Sequence, residues 1–283
     1  MKKNRFLSRR NTTKMVAGLK RLYWKIIKWT EGDLGVPIRS DVPLERLDSP
    51  YGGWIIPRGR LKSNAVCYLV GAGEDISFDL AVSDQYGCAV HIFDPTPRAV
   101  EHVLATKSKL SQRQPMPCAT SPSGYYPEAD PDTALLMQLH PFGIWSEDKT
   151  LRFFAPKEQA HVSYSLVNLQ KSDNFMEVPV RRLSGVMREL GHQRIDLLKI
   201  DTEGAEYQIL EAMLQDQLEV NIICIEFDET ASNHIDRHYL RRIKQTLTAL
   251  MQAGYTVVAK EPDCRNYTLM HARCFSADQT PPK

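Results

Sequence analysis

Apolar runs of five or six residues alternate with stretches whose apolar positions recur every three or four, from Val66 almost to the C-terminus. The runs at 66–70, 89–93, 196–200 and 222–227, and one inside 135–145, are too short for helices and read as strands. The segments 76–83, 183–190 and 205–218 read as helices, as does the stretch carrying Leu240, Ile243, Leu247 and Met251. A further helix opens at Pro97, a residue suited to a first turn, while Gly191 and Gly254 mark stops. Strand–helix alternation of this kind predicts an α/β fold: a mostly parallel twisted sheet with helices on both faces.

Three stretches break the alternation. Residues 111–132 are rich in Pro, Ser and Gly and read as an insertion loop. Residues 150–182 hold short strands at 151–154, 163–169 and 176–180, expected to form an antiparallel excursion. Residues 255–259 and 268–275 predict a C-terminal antiparallel hairpin. The chain then divides into a basic segment 1–30, an irregular lead-in 31–60 full of Pro and Gly, and one domain over 61–283.

Charge changes this picture at one end only. The net charge is +2, yet residues 1–30 hold ten Lys or Arg and no acid, which leaves 26 basic against 34 acidic residues, or −8, for 31–283. The acidic body argues against a phosphate-tracking surface, and no nucleic-acid partner is expected. In the leader, Met15, Leu19, Leu22, Ile26 and Trp29 recur at helical steps between basic residues. Such a helix suits packing on the body or a second subunit, or the anionic inner face of a membrane. Six cysteines without a C-x-x-C pair give no zinc spacing and fit a reducing, cytoplasmic compartment.

Two strand ends carry candidate chemistry. Gly71-Ala72-Gly73 follows the 66–70 strand and precedes a helix, where glycines let backbone approach a ligand. Asp94, 21 residues after Gly73, ends the next strand, where a carboxylate reaches ribose hydroxyls. The alternative is a tight turn at the glycines and a helix cap at Asp94. A dinucleotide fingerprint would place a third glycine where Ile76 stands, and Glu74 and Asp75 add negative charge where a diphosphate would lie. That favours the cationic S-adenosylmethionine over NAD. Asp201 and Glu203 follow the 196–200 strand, at the edge where open α/β sheets bind ligands.

With these residues in view, the chain resembles the FkbM-type methyltransferases. The main match is Asp196-Leu197-Leu198-Lys199-Ile200-Asp201-Thr202-Glu203-Gly204-Ala205-Glu206, with Thr202 where the family usually has Val or Ile. Supporting matches lie at 71–79, 93–97, 143–146 and 224–227, and the resemblance spans about 51–275. It implies the Rossmann-like class I methyltransferase fold and S-adenosylmethionine as methyl donor. It places Gly71 and Gly73 at the donor's methionine part, with Glu74 and Asp75 beside them, Asp94 at the ribose, and Trp145 and Ser146 near adenine. The Tyr51-Gly52-Gly53-Trp54 segment resembles the family's lead-in, although Trp54 also fits a core position.

For a hydroxyl acceptor, on a saccharide or other glycan or a secondary metabolite, Asp201 stands where a base would, with Glu203 beside it. A divalent cation bridging Asp201, Glu203 or Glu226 is an alternative way to acidify the hydroxyl. Glu206 is explained by the first turn of its helix. His140, His161 and Tyr164 are weaker candidates for the acceptor pocket. Two competing readings are an NAD-type oxidoreductase and a non-catalytic protein that kept the fold.

Overall fold

The computed structural model describes residues 34–48, 52–154, 174–202, 204–229, 238–261 and 265–275. The basic leader, Tyr51, the 163–169 strand, His161, Tyr164 and Glu203 lie outside these residues. In chain order the elements are β1 (Leu44–Leu47), β2 (Trp54–Pro57), β3 (Val66–Val70), α1 (Ser77–Tyr86), β4 (Ala89–Phe93) and α2 (Pro97–Ser111). Then come α3 (Thr133–Leu136), β5 (Met137–His140), β6 (Gly143–Trp145), β7 (Lys149–Phe154), β8 (Phe175–Arg182) and α4 (Leu183–Glu189). The last are β9 (Ile195–Ile200), α5 (Glu206–Gln215), β10 (Val220–Glu226), α6 (Tyr239–Gln252), β11 (Tyr255–Lys260) and β12 (Asn266–His271).

Seven strands form the main sheet in the order β11-β12-β10-β9-β3-β4-β5. The five from β10 to β5 are parallel, and β12 lies antiparallel to both β10 and β11 as the expected C-terminal hairpin. Parallel strands covered on both faces should be apolar at every position, and β3 shows why its run does not alternate. Cys67 and Leu69 point into one core with Phe78 and Leu80 of α1 and Val103 of α2. Tyr68 and Val70 point into the other, with Val186 of α4, Ile209 of α5 and Leu247 of α6. Helices therefore cover both faces, as the periodicities predict.

The chain runs outward from β3 through β4 to β5, then crosses back to lay β9 on the other side of β3. Strand order reverses between β3 and β9, and open sheets of this class bind ligands beyond the strand ends at that point. Val70 pairs with Ile200, so both strands stop level and deliver Gly71 and Asp201 side by side.

One expectation needs correction. The lead-in is not wholly irregular: β1 and β2 pair antiparallel, with Leu44 opposite Pro57, and Leu47, Trp54 and Ile56 enter the first core. The described strands of the excursion, β7 and β8, pair antiparallel as expected, and β6, from before residue 150, joins them parallel to β8. Pro141 lacks the N–H that would continue β5 in the ladder, and the chain leaves the main sheet there. Among the described residues no helix is long and apolar enough to cross a membrane.

Candidate functional site

The turn after β3 needs glycine for two separate reasons. Gly71 has φ +89°, and a Cβ added to it would sit 1.7 Å from the carbonyl oxygen of Asp201. Gly73 has φ +54°, but its missing side chain would meet no atom within 4 Å. The first glycine lets two strand ends touch; the second keeps a left-handed turn open toward solvent space.

Asp94, buried at the end of β4, closes this turn. Its Oδ2 accepts from the backbone N–H of Ala72 at 2.9 Å and of Gly73 at 3.1 Å. Its Oδ1 accepts from the N–H of Thr96 at 2.8 Å and from Thr96 Oγ1 at 2.7 Å. A carboxylate offers about four acceptor positions, and all four are used. Asp94 thus shapes the turn before α2 and holds the glycine turn to it, as the alternative reading of a turn and a helix cap expects.

A cavity of about 490 Å³ opens over these strand ends and is lined by Gly71, Gly73, Asp94, Lys199 and Asp201 among others. Glu74 and Asp75 also line it. The Glu74 carboxylate is held by Arg98, at 2.8 Å and 3.0 Å, on an exposed edge. Asp75 accepts from the Ser77 N–H at 2.9 Å and from Thr120, so it fixes the turn into α1 and pins the insertion loop. Trp54 is both core and cavity wall, at 3% exposure.

Trp145 and Ser146 are not brought to this cavity, although Gly143 and Ile144 just before them do line it. Trp145 packs against the small core around Phe153 and Val178, and the Ser146 carbonyl accepts from Arg182. His140 also lies elsewhere: its Nε2 sits 3.0 Å from Nδ1 of His91, in a group of imidazoles that includes His192.

Beyond β9, Asp201, Glu226 and Asp228 present one oxygen each within 4.8 Å of one another. The group shares Asp201 and Glu226 with the cation alternative but has Asp228 as its third member, and the Arg265 guanidinium pairs with Glu226 and approaches Asp228 at 3.7 Å, so a cation of the chain itself offsets this charge. Glu206, fully buried at the start of α5, accepts from the Gly204 N–H at 2.9 Å, and burial pushes its carboxyl up to about 7. Its structural reading therefore holds.

Sequence reasoning passed over Lys199, Asp79, Asp228 and Arg265. Lys199 is 4% exposed; its Nζ donates to the Gly71 carbonyl at 2.8 Å and lies 3.2 Å from Asp201 Oδ2. The available signal was a lysine inside the apolar run Leu197-Leu198-Lys199-Ile200, which no solvated strand explains. Asp79, 1% exposed in α1, is the matching anomaly on a helix.

A doubly wound sheet with a glycine turn and an acidic strand end at its switch point defines a Rossmann-like class I methyltransferase fold. The family profile described as the methyltransferase FkbM domain matches residues 70–257, and the chain belongs to that family. No curated protein matches the chain. Among solved structures, the FkbM methyltransferase of Methylobacillus flagellatus KT aligns at 10% identity and TM-score 0.44, over 75% of this chain and 44% of that one. The chain thus spans less than half the length of that structure. The Methanococcus jannaschii pre-rRNA processing protein fibrillarin aligns at 11% identity and TM-score 0.38, over 75% of this chain and 68% of that one. The N-terminal domain of human METTL16, in complex with SAH, aligns at 13% identity and TM-score 0.37, over 85% and 76%.

Proposed function

We propose that the chain is an S-adenosylmethionine-dependent O-methyltransferase whose acceptor is a hydroxyl on a saccharide or other secondary metabolite. The observation that carries this reading is the charge of the cavity at the switch point: seven carboxylates line it against Lys199 and Arg265. A sulfonium with an adjacent ammonium fits such a lining, whereas a diphosphate would meet an excess of negative charge.

In this reading Gly71 and Gly73 offer backbone to the methionine part, with Asp94 at the ribose end, where its bonds to the turn set the shape the ligand meets. When bound, the donor supplies an electrophilic methyl group. The chain's own residues do the rest. Asp201 is one-third exposed and faces the cavity, so it can accept a proton from an acceptor hydroxyl approaching from solvent. Glu226, Asp228 and Arg265 border the same end and can orient further hydroxyls through hydrogen bonds. Glu203, beside Asp201 in sequence, keeps its proposed supporting role.

The test is transfer of labelled methyl from S-adenosylmethionine to a panel of neutral methyl glycosides and phenolic alcohols. Asp201→Asn should lower turnover by roughly 10²–10⁴-fold, the range for loss of a positioned base. Wild-type turnover in that variant would remove Asp201 from the role.

A further inference from the structure

Lys199 occupies a position that neither the cofactor turn nor the proposed base explains alone. It shares a face of β9 with Leu197, whose side chain enters the core beneath α1. From there its ammonium reaches the ends of two strands at once: the Gly71 carbonyl of β3's turn and the Asp201 carboxylate after β9. Behind it, in α1, stands Asp79. Both Asp79 oxygens are buried with no hydrogen-bond partner among the described residues. Burial pushes that carboxyl up to about 6, and Lys199 is the largest influence in the other direction. Burial also works against the charge on Lys199, but Asp201 and Asp79 outweigh it and raise its proton affinity.

An ammonium this deep is kept only where it is paired and bonded. Lys199 has two bonded partners, and the buried Asp79 carboxylate, which bonds to no described residue, adds its charge. That arrangement is costly as a stability device, since apolar residues of equal volume would serve a core as well or better. It makes sense where geometry matters.

We propose that Lys199 is a positioning residue for methyl transfer: it ties the Gly71 turn to the Asp201 carboxylate, with Asp79 as its buried counter-charge. One carboxylate oxygen, Oδ2, is then committed to the ammonium, and Oδ1 is left to receive the acceptor's proton. The inference rests on the reading of Asp201 as base and of the Gly71 turn as the donor's seat.

Two cycles on the full chain test it. In thermal unfolding, Lys199→Met should lower the midpoint by roughly 6–12 °C, because it strands Asp79 without a counter-charge. Adding Asp79→Asn should recover at least about half of that loss, since the stranded charge is gone. A lysine that merely fills space predicts the opposite, a double variant no more stable than Lys199→Met alone, and that result would overturn the proposal.

In calorimetric titration with S-adenosylhomocysteine, Lys199→Met in the Asp79→Asn background should weaken binding about tenfold, the worth of one charge-assisted bond. With Asp201→Asn also present, the same step should weaken it less than about threefold, because the two side chains act as a unit. Losses that add independently of Asp201 would overturn the positioning role. Absence of binding by the wild-type chain would instead refute the cofactor assignment, and the unfolding cycle would still decide on Lys199.

Discussion

Replacing Gly71 with alanine adds one methyl group at the tightest contact of the site. Two effects follow from the geometry. Gly71 sits at φ +89°, a region that costs an L-residue about 1–2 kcal/mol. The new Cβ would also stand 1.7 Å from the Asp201 carbonyl oxygen, against the 3.0 Å below which such contacts essentially never fall, so the ends of β3 and β9 must part by about 1.3 Å. Parting them stretches the 3.0 Å bond from the Asp201 N–H to the Val70 carbonyl and the 2.8 Å bond from Lys199 to Gly71. A neutral bond is worth about 1 kcal/mol and one from a charged group about 1.5–3. The total is about 4 kcal/mol, or a midpoint lower by roughly 8–16 °C at 2–4 °C per kcal/mol. Gly73→Ala is the internal control. It has the strain but no atom within 4 Å, so it should lose only about 1 kcal/mol, or roughly 2–4 °C. Differential scanning calorimetry of both variants decides the matter. If Gly71→Ala melts within about 2 °C of Gly73→Ala, the close approach of the two strand ends is not a constraint on the fold, and the reasoning fails.

Asp94→Ala removes the acceptor of four hydrogen bonds and should lower the midpoint by roughly 6–12 °C while weakening S-adenosylhomocysteine binding; a variant that binds like the wild type would show that the turn does not depend on this carboxylate. Trp145→Phe should leave that affinity within about twofold, because the indole packs on the second sheet; a tenfold loss would return it to the site. His91, 3% exposed, has its proton affinity pushed down to about 4, by burial first and then by His192 and His140. Its folded value lies below the unfolded value near 6.5, so its contribution is intact above pH 6.5 and is lost as pH falls toward 4. Between pH 7.5 and 5 the wild type should therefore lose about 2 kcal/mol relative to His91→Gln in urea unfolding. Asp79 and Glu206, whose values are raised, work in the opposite direction and cancel in that difference. Equal pH dependence of the two proteins would contradict the placement of His91.

The elements legible in the sequence are those whose burial is local. Strands such as 66–70 and 196–200 are apolar at nearly every position because both faces are covered, and helices such as α6 carry a one-sided stripe. The hairpin of β1 and β2 escaped notice because four-residue strands set among prolines leave no periodicity to read. Asp201, Gly71 and Gly73 were legible because strand-end position alone identifies them. Trp145 and Ser146 do not line the cavity, and the break at Pro141 that hands their strand to another sheet is revealed only by tertiary pairing. Lys199 and Asp79 are separated by 120 residues, and only the fold reveals that both are buried.

The account turns on what the acidic cavity holds, and one titration addresses it: isothermal calorimetry of the wild-type chain with S-adenosylhomocysteine and, in parallel, with NAD. The account predicts saturable binding of the thioether at one site per chain and no heat from the dinucleotide. Saturable binding of NAD with none of S-adenosylhomocysteine would contradict it.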